Sequence, residues 1–121
     1  VAPIIAGGNT VVVLASEEKP LCSITFAEVL HTSDVPGGVV NILTGHRSEL
    51  LEHFSSHMDV NAIVYCGSEP EEIKLVQENA ALNVKRPIVY SDEDWLDKNA
   101  QDPYRILNTL ETKTTWYPVG V

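Results

Sequence analysis

Four short apolar runs alternate with segments of helical periodicity along this sequence, and this alternation limits the possible folds more than any other feature. The runs are rich in β-branched residues, and they cover residues 10–15, 39–43, 61–65 and 86–90. Strands separated by helices of ten or more residues pair in parallel, with the helices covering the faces of the sheet. The sequence therefore predicts an α/β fold.

Local signals refine this arrangement. The first run (TVVVLA) has the pattern of a strand buried on both faces, whereas Pro87 in the fourth run favours an edge position. A helix is predicted over residues 20–32, and Ile24 and Val29 are among the residues available to pack on the sheet. We expect a three-layer α/β/α architecture with a partial Rossmann-like parallel sheet.

Two further helices have predicted starting points. Ser48 is a suitable N-cap for one of them, and Ser68 and Glu71 have the spacing of a capping box at the start of the other. Pro70 then falls in the first turn of that second helix, where proline is well tolerated.

Charge and cysteine content exclude several classes of function. The chain has 17 acidic and 8 basic residues, a formal charge of −9, so nucleic acids and anionic membranes are not expected partners. No apolar run reaches the length of a membrane span. Cys22 and Cys66 both lie in apolar stretches, which predicts buried, reduced thiols and favours a cytoplasmic protein.

The two ends of the sequence differ from its centre. Residues 1–6, followed by Gly7 and Gly8, are typical of a helix ending at a glycine, and we expect a piece of a longer protein. Beyond Ser91 the sequence is acidic, with Trp95 as its main apolar anchor, and a short helical turn is predicted over 104–110. Residues 111–119 are predicted to be extended, as an edge strand or paired with another chain.

Several blocks in this order resemble the aldehyde dehydrogenase family. They are Gly8 to Val13, Ser16-Glu17 with Pro20-Leu21, Val35 to Gly45, Ser56 to Val60, Val64 to Ser68, and Val84 to Arg86. Residues 108–119 are similar to the family's C-terminal segment, which joins the sheet of a neighbouring subunit. The resemblance implies a nucleotide-binding half-domain (1–91), a connector (92–108) in place of the catalytic domain, and an oligomerisation β-strand arm (109–121).

The resemblance also implies NAD or NADP as cofactor. Glu17 matches the carboxylate that helps to hold the adenine ribose hydroxyls, with Ser16 beside it. Gly67 and Ser68 match the turn where the backbone approaches the pyrophosphate, and Gly45 is assigned to the same cofactor site. All five are therefore candidate cofactor-binding residues.

Several departures from the family pattern weaken this expectation. Leu14 replaces a lysine, Arg47 replaces a glycine beside the nucleotide, and Glu72 replaces a helix glycine. The acidic side chains around Ser68 place negative charge at a helix end that otherwise favours phosphate. No glutamate follows Arg86 at the family's general-base position. We assign no catalytic residue and expect the chain to be inactive alone.

Two other groups of residues admit a chemical interpretation and a simpler one. Cys66 is either a nucleophile at a strand end or a small buried thiol where the family has threonine. His53 and His57 have the i, i+4 spacing of metal ligands, but they lack an evident third ligand, and surface histidines are the commoner explanation. We predict no metal site.

The tail residues Thr112, Thr114, Trp116 and Tyr117 are predicted to form an interface, with packing on the chain's own body as the alternative. The expected partner is a second copy or a dehydrogenase subunit. Three functions are therefore considered: an aldehyde dehydrogenase-like cofactor half, a non-catalytic structural module associated with an active dehydrogenase, and an unrelated doubly wound ligand-binding domain.

Overall fold

A computed structural model describes residues 1–120 and confirms the α/β class. Its elements in chain order are α1 (Ala2–Ala6), β1 (Val11–Leu14), α2 (Pro20–His31), β2 (Val40–Leu43), α3 (Arg47–Ser56), β3 (Ala62–Cys66), α4 (Pro70–Leu82), β4 (Arg86–Tyr90), a 3₁₀ turn (Lys98–Gln101) and α5 (Tyr104–Leu107). Each predicted strand is present to within a residue or two at its ends.

The four strands form two parallel pairs. β1 pairs with β2, with Val11 opposite Val40, and β3 pairs with β4, with Ala62 opposite Arg86. Full burial of the first strand was a wrong expectation, since Val12 is 48% exposed. The reason is that β1 has a neighbour on one edge alone, so part of its surface stays open.

The hydrophobic core lies where β3, α3 and α4 meet. Its buried members are Leu51, Ile63, Tyr65 and Val76. Ile63 and Tyr65 alternate along β3 with less buried residues, as expected for a strand with one face in a core. Helix α2 contributes no buried residue, and Ile24 and Val29 are exposed, contrary to the expectation that they pack inward.

Lys85 joins the end of α3 to the start of β4. Its ammonium group donates hydrogen bonds to the backbone carbonyls of Phe54 (3.2 Å), Ser55 (2.7 Å) and His57 (2.8 Å). These carbonyls lie at the C-terminus of α3, where the helix has no intrahelical donors left and the helix dipole favours a cation. Burial lowers the pKa of Lys85. A buried lysine is thus accommodated without a carboxylate partner.

The predicted serine caps are wrong. Helix α3 begins at Arg47 with His46 as its N-cap, and α4 begins at Pro70 with Glu69 as its N-cap. Neither His46 nor Glu69 makes a side-chain capping hydrogen bond. Both have an extended backbone, and each helix begins at the next residue. The glycine end of α1 is confirmed, with Gly8 in the left-handed conformation (φ 81°).

The C-terminal tail has no helix or strand between Leu110 and Gly120. Its beginning is held by the Asn9 side-chain amide, which donates to the Thr109 carbonyl (3.3 Å). The arm therefore forms no edge strand on this chain, and pairing with another chain stays a prediction. Within residues 1–120, no helix combines the length and apolar character needed to cross a bilayer.

Candidate nucleotide site

Three loops at the carboxyl ends of β1, β2 and β3 contain the candidate cofactor residues. Ser16 and Glu17 follow β1, Gly45 follows β2, and Gly67 and Ser68 follow β3. In open parallel α/β sheets, ligands bind in the crevice outside the carboxyl ends of the strands. The candidate residues therefore occupy the part of the fold where a ligand site is expected.

Glu17 contacts the start of α3. Its Oε1 accepts a hydrogen bond from the Arg47 backbone N–H, and its Oε2 lies 3.7 Å from Nδ1 of His46. The Arg47 amide is one of the unpaired N–H groups of the first helical turn, so Glu17 caps α3 from the β1–α2 loop. This hydrogen bond is the main reason that the pKa of Glu17 is lowered. The carboxylate expected to bind ribose hydroxyls already has a protein partner.

A second set of contacts lies beside Gly67. Nε of Arg47 lies 3.0 Å from Oε2 of Glu72, and the Tyr65 hydroxyl donates to the same oxygen at 2.5 Å. The Arg47 guanidinium also lies 6.0 Å from the centre of the Tyr65 ring. A Cβ at Gly67 would come within 2.8 Å of the Tyr65 hydroxyl, so a side chain here would force the Tyr65 ring to move. We call Arg47, Glu72 and Tyr65 the bridging cluster.

The bridging cluster joins α3, α4 and β3 in one hydrogen-bonded unit. Desolvation, reinforced by the hydrogen bond to Glu72, raises the pKa of Tyr65 to about 12, so its hydroxyl stays protonated and remains a donor. Arg47 in turn neutralises Glu72. The two residues that depart from the family pattern thus bind each other, and the Tyr65 hydroxyl that joins them lies close to Gly67.

The remaining candidates take no part in this cluster. The Ser16 hydroxyl accepts a hydrogen bond from the Lys19 backbone N–H at 3.3 Å, an interaction within its own loop. Gly45 and Ser68 are exposed, and Leu14 brings no charge to its position. Tyr65 was missed by sequence analysis. Its place on the buried face of β3, two residues before the glycine turn, was the available signal.

Both cysteines are exposed, so the prediction of buried thiols is wrong. Cys22 lies on α2, whose surface is open, and Cys66 lies at the end of β3, where the strand leaves the core. The surrounding protein atoms nevertheless raise the pKa of Cys66. At neutral pH the group is therefore a thiol, whereas nucleophilic catalysis needs a thiolate.

The histidine pair does not assemble a metal site. Nδ1 of His57 accepts a hydrogen bond from the Asp59 backbone N–H at 3.2 Å, which occupies one ring nitrogen in a local turn. Among residues 1–120, no three His, Cys, Asp or Glu side chains converge in a way that would hold a metal ion.

The parallel strand pairs and their loops define a Rossmann-like α/β protein. A sequence model described as the aldehyde dehydrogenase family matches residues 1–90. The solved structure of an aldehyde dehydrogenase from Bartonella henselae superposes with a TM-score of 0.62 at 32% identity, over 66% of this chain and 17% of that chain. The chain belongs to the aldehyde dehydrogenase family.

Curated relatives agree with this assignment. Aldehyde dehydrogenase 1 of Tanacetum cinerariifolium is 32% identical over 93% of this chain, and an aldehyde dehydrogenase of Aspergillus niger is 34% identical over all of it. The NADP/NAD-dependent aldehyde dehydrogenase PuuC of Escherichia coli is 34% identical over 69% of this chain. The matched regions span 24%, 23% and 17% of these relatives, so this chain corresponds to less than a quarter of their length.

Proposed function

We propose that this chain is a cofactor-domain segment of an aldehyde dehydrogenase in which the NAD(P) site is weakened, and that it oxidises no aldehyde by itself. The observation that carries the proposal is that side chains at the nucleotide loops already bind other protein groups. Glu17 caps α3, and the bridging cluster lies beside the turn that the family resemblance assigns to the pyrophosphate. A dinucleotide must displace or rearrange these contacts before it binds.

Electrostatics also support weak binding. Glu69, Glu71 and Glu72 lie at the N-terminal end of α4, close to where phosphate groups are expected. Carboxylates there are favourable for the helix but unfavourable for an anionic ligand. The guanidinium of Arg47, at the start of α3, is already paired with Glu72.

The thiol chemistry supports inactivity. Aldehyde oxidation by a covalent route needs a thiolate nucleophile and a base that activates it. The raised pKa of Cys66 disfavours the thiolate, and Cys22 lies on the exposed surface of α2. We include a cytoplasmic location in the proposal, because both cysteines are free and the cytosol keeps thiols reduced.

Calorimetric titration with NAD and with NADP tests the proposal. We expect dissociation constants in the millimolar range, because each missing cation or added carboxylate costs about 1–3 kcal/mol against a phosphate ligand. We also expect no formation of reduced nicotinamide with short aldehydes at saturating cofactor. Micromolar binding, or turnover that is lost when both cysteines are changed to serine, would contradict the proposal.

A structural role in an assembly is the second candidate, and the tail favours it. Trp116 and Tyr117 are 84% and 79% exposed on a segment without helix or strand. Large aromatic side chains are typical anchors of protein interfaces. Thr112 and Thr114 extend the same segment, which we propose pairs with a second copy or a dehydrogenase subunit.

Deletion of residues 111–121 tests this role. Since Thr109 and Leu110 stay in place, the contact with Asn9 is kept. We expect the mass in solution, measured by light scattering, to fall to that of a single chain, and Trp116→Ser with Tyr117→Ser to have the same effect. Thr115→Ser serves as a control that leaves the mass unchanged. A wild-type chain that is already monomeric, or an oligomer that survives the deletion, would overturn the interface.

A further inference from the structure

A cleft of about 610 Å³ lies beside β3. It is enclosed by α1, by the carboxyl ends of β3 and β4, and by the segment from Trp95 to Thr109. That segment follows the residues that match the family model, which end at residue 90. One wall of the cleft is therefore built by a part of the chain that the family match does not cover.

The walls are mainly apolar. Helix α1 contributes Pro3, Ile4 and Ala6, and Val64 and Ile106 face the cleft from β3 and α5. Small-molecule sites are typically clefts of about 300–1,000 Å³ with apolar walls and a few oriented polar groups. The volume and lining of this cleft fall in that class.

At one end the cleft is bounded by a pair of aromatic rings and by the guanidinium of Arg105. Tyr90 and Trp95 are in edge-to-face contact, with ring centres 5.7 Å apart and planes at 84°. The guanidinium of Arg105 lies 4.4 Å from the Tyr90 ring centre and 5.0 Å from that of Trp95. These contacts fix the orientation of Arg105 at the cleft.

The Arg105 guanidinium already has a carboxylate partner. Nη2 of Arg105 lies 2.9 Å from Oε2 of Glu93, and Oδ1 of Asp102, which also lines the cleft, accepts a hydrogen bond from the Tyr104 backbone N–H. An anionic ligand would compete with Glu93 and meet the charge of Asp102. Charge therefore favours an uncharged occupant.

Two nitrogen atoms of Arg105 can still donate a hydrogen bond to a ligand. Among the described residues, no acceptor pairs with Nε or Nη1 of Arg105, although both atoms are buried. Buried donors normally have a partner, and leaving one unpaired costs about 1–3 kcal/mol. A ligand that brings a single oxygen acceptor would complete the site after a small shift of the covering rings.

We propose that this cleft binds a small, uncharged aromatic molecule with a carbonyl oxygen. Its ring packs between α1 and the Tyr90–Trp95 pair, and its oxygen accepts a hydrogen bond from Arg105. The proposal does not depend on whether the chain binds NAD(P), because none of the five candidate cofactor residues lines this cleft.

Fluorine NMR of three matched probes tests the site. We expect saturable line broadening of 4-fluoroacetophenone that unlabelled acetophenone reverses. 4-Fluorotoluene lacks the acceptor and is expected to bind more weakly, and 4-fluorobenzoate should bind about tenfold more weakly because of its charge. Absence of saturable acetophenone binding, or tighter binding of benzoate, would overturn the proposal.

Substitution locates the ligand. Ala100 lines the cleft, so Ala100→Phe should fill it and abolish binding, whereas Ala81→Phe on the exposed face of α4 should leave binding unchanged. Unchanged binding in folded Ala100→Phe would contradict the location.

A chemical measurement on the unfilled cleft is independent of that variant. Cys66 lines the cleft, so in a Cys22→Ser chain acetophenone should slow the alkylation of the remaining thiol in a saturable way. An alkylation rate that acetophenone does not change would also overturn the proposal.

Discussion

Changing Lys85 to methionine should lower the free energy of unfolding by about 3 kcal/mol, measured by urea denaturation followed by circular dichroism. Methionine keeps most of the side-chain volume, but it removes all three hydrogen bonds to the end of α3. Hydrogen bonds from charged donors contribute about 1.5–3 kcal/mol each, partly offset here by the desolvation of the ammonium. For a single small domain this is a large part of a total of about 5–15 kcal/mol.

Lys74→Met is the matched control. Lys74 is exposed on α4 and lies 3.9 Å from Glu78, one helical turn further on. Exposed pairs of this kind contribute about 0.3–0.5 kcal/mol, so the control should unfold close to the wild type. Equal stability of the two lysine variants would show that Lys85 does not stabilise the end of α3.

Changing Glu72 to glutamine should make the chain bind NAD about tenfold more tightly than the wild-type chain. The change removes a negative charge from the first turn of α4, keeps an acceptor for the Tyr65 hydroxyl, and releases the Arg47 guanidinium from its carboxylate partner. Tenfold corresponds to about 1.4 kcal/mol, the low end of what relief of one unfavourable carboxylate is worth. Calorimetric titration measures the change.

Glu71→Gln separates this effect from a general loss of charge. Glu71 is in the first turn of the same helix and is exposed. It lies outside the bridging cluster, so this variant should change the affinity for NAD much less. If Glu72→Gln and Glu71→Gln bind NAD equally, the bridging cluster does not obstruct the nucleotide loops.

Much of the fold follows from local pattern. The strands were predictable because each is a short run of β-branched residues bounded by turn residues, and β4 was predicted with the observed bounds. The helix starts were not predictable in the same way, although Ser48 and Ser68 both satisfy the local rule for N-cap residues. The N-cap of α3 is His46, which is earlier than Ser48, and the N-cap of α4 is Glu69, which is later than Ser68. Burial was overestimated for β1 and α2, because burial depends on which elements pack against them, and sequence periodicity does not specify those elements.

The candidate site could be predicted from the sequence only in part. The loops after β1, β2 and β3 could be assigned from the ordered blocks, and Arg47 and Glu72 stood out as departures. That these two side chains bind each other, and that Tyr65 shares the same carboxylate, depends on the packing of α3 against α4 and β3. No spacing rule relates residues so far apart in sequence, so the bridging cluster required three-dimensional structure.

The contact between Asn9 and Thr109 has a consequence for how the molecule opens. The same amide group also donates a hydrogen bond to the carbonyl of Ile4, and α1 packs against α5. Asn9 therefore links α1 to the residues that follow α5. Loosening either α1 or α5 removes part of the surface on which the other rests. We therefore expect α1 and α5 to open together in local unfolding, with a shared opening free energy.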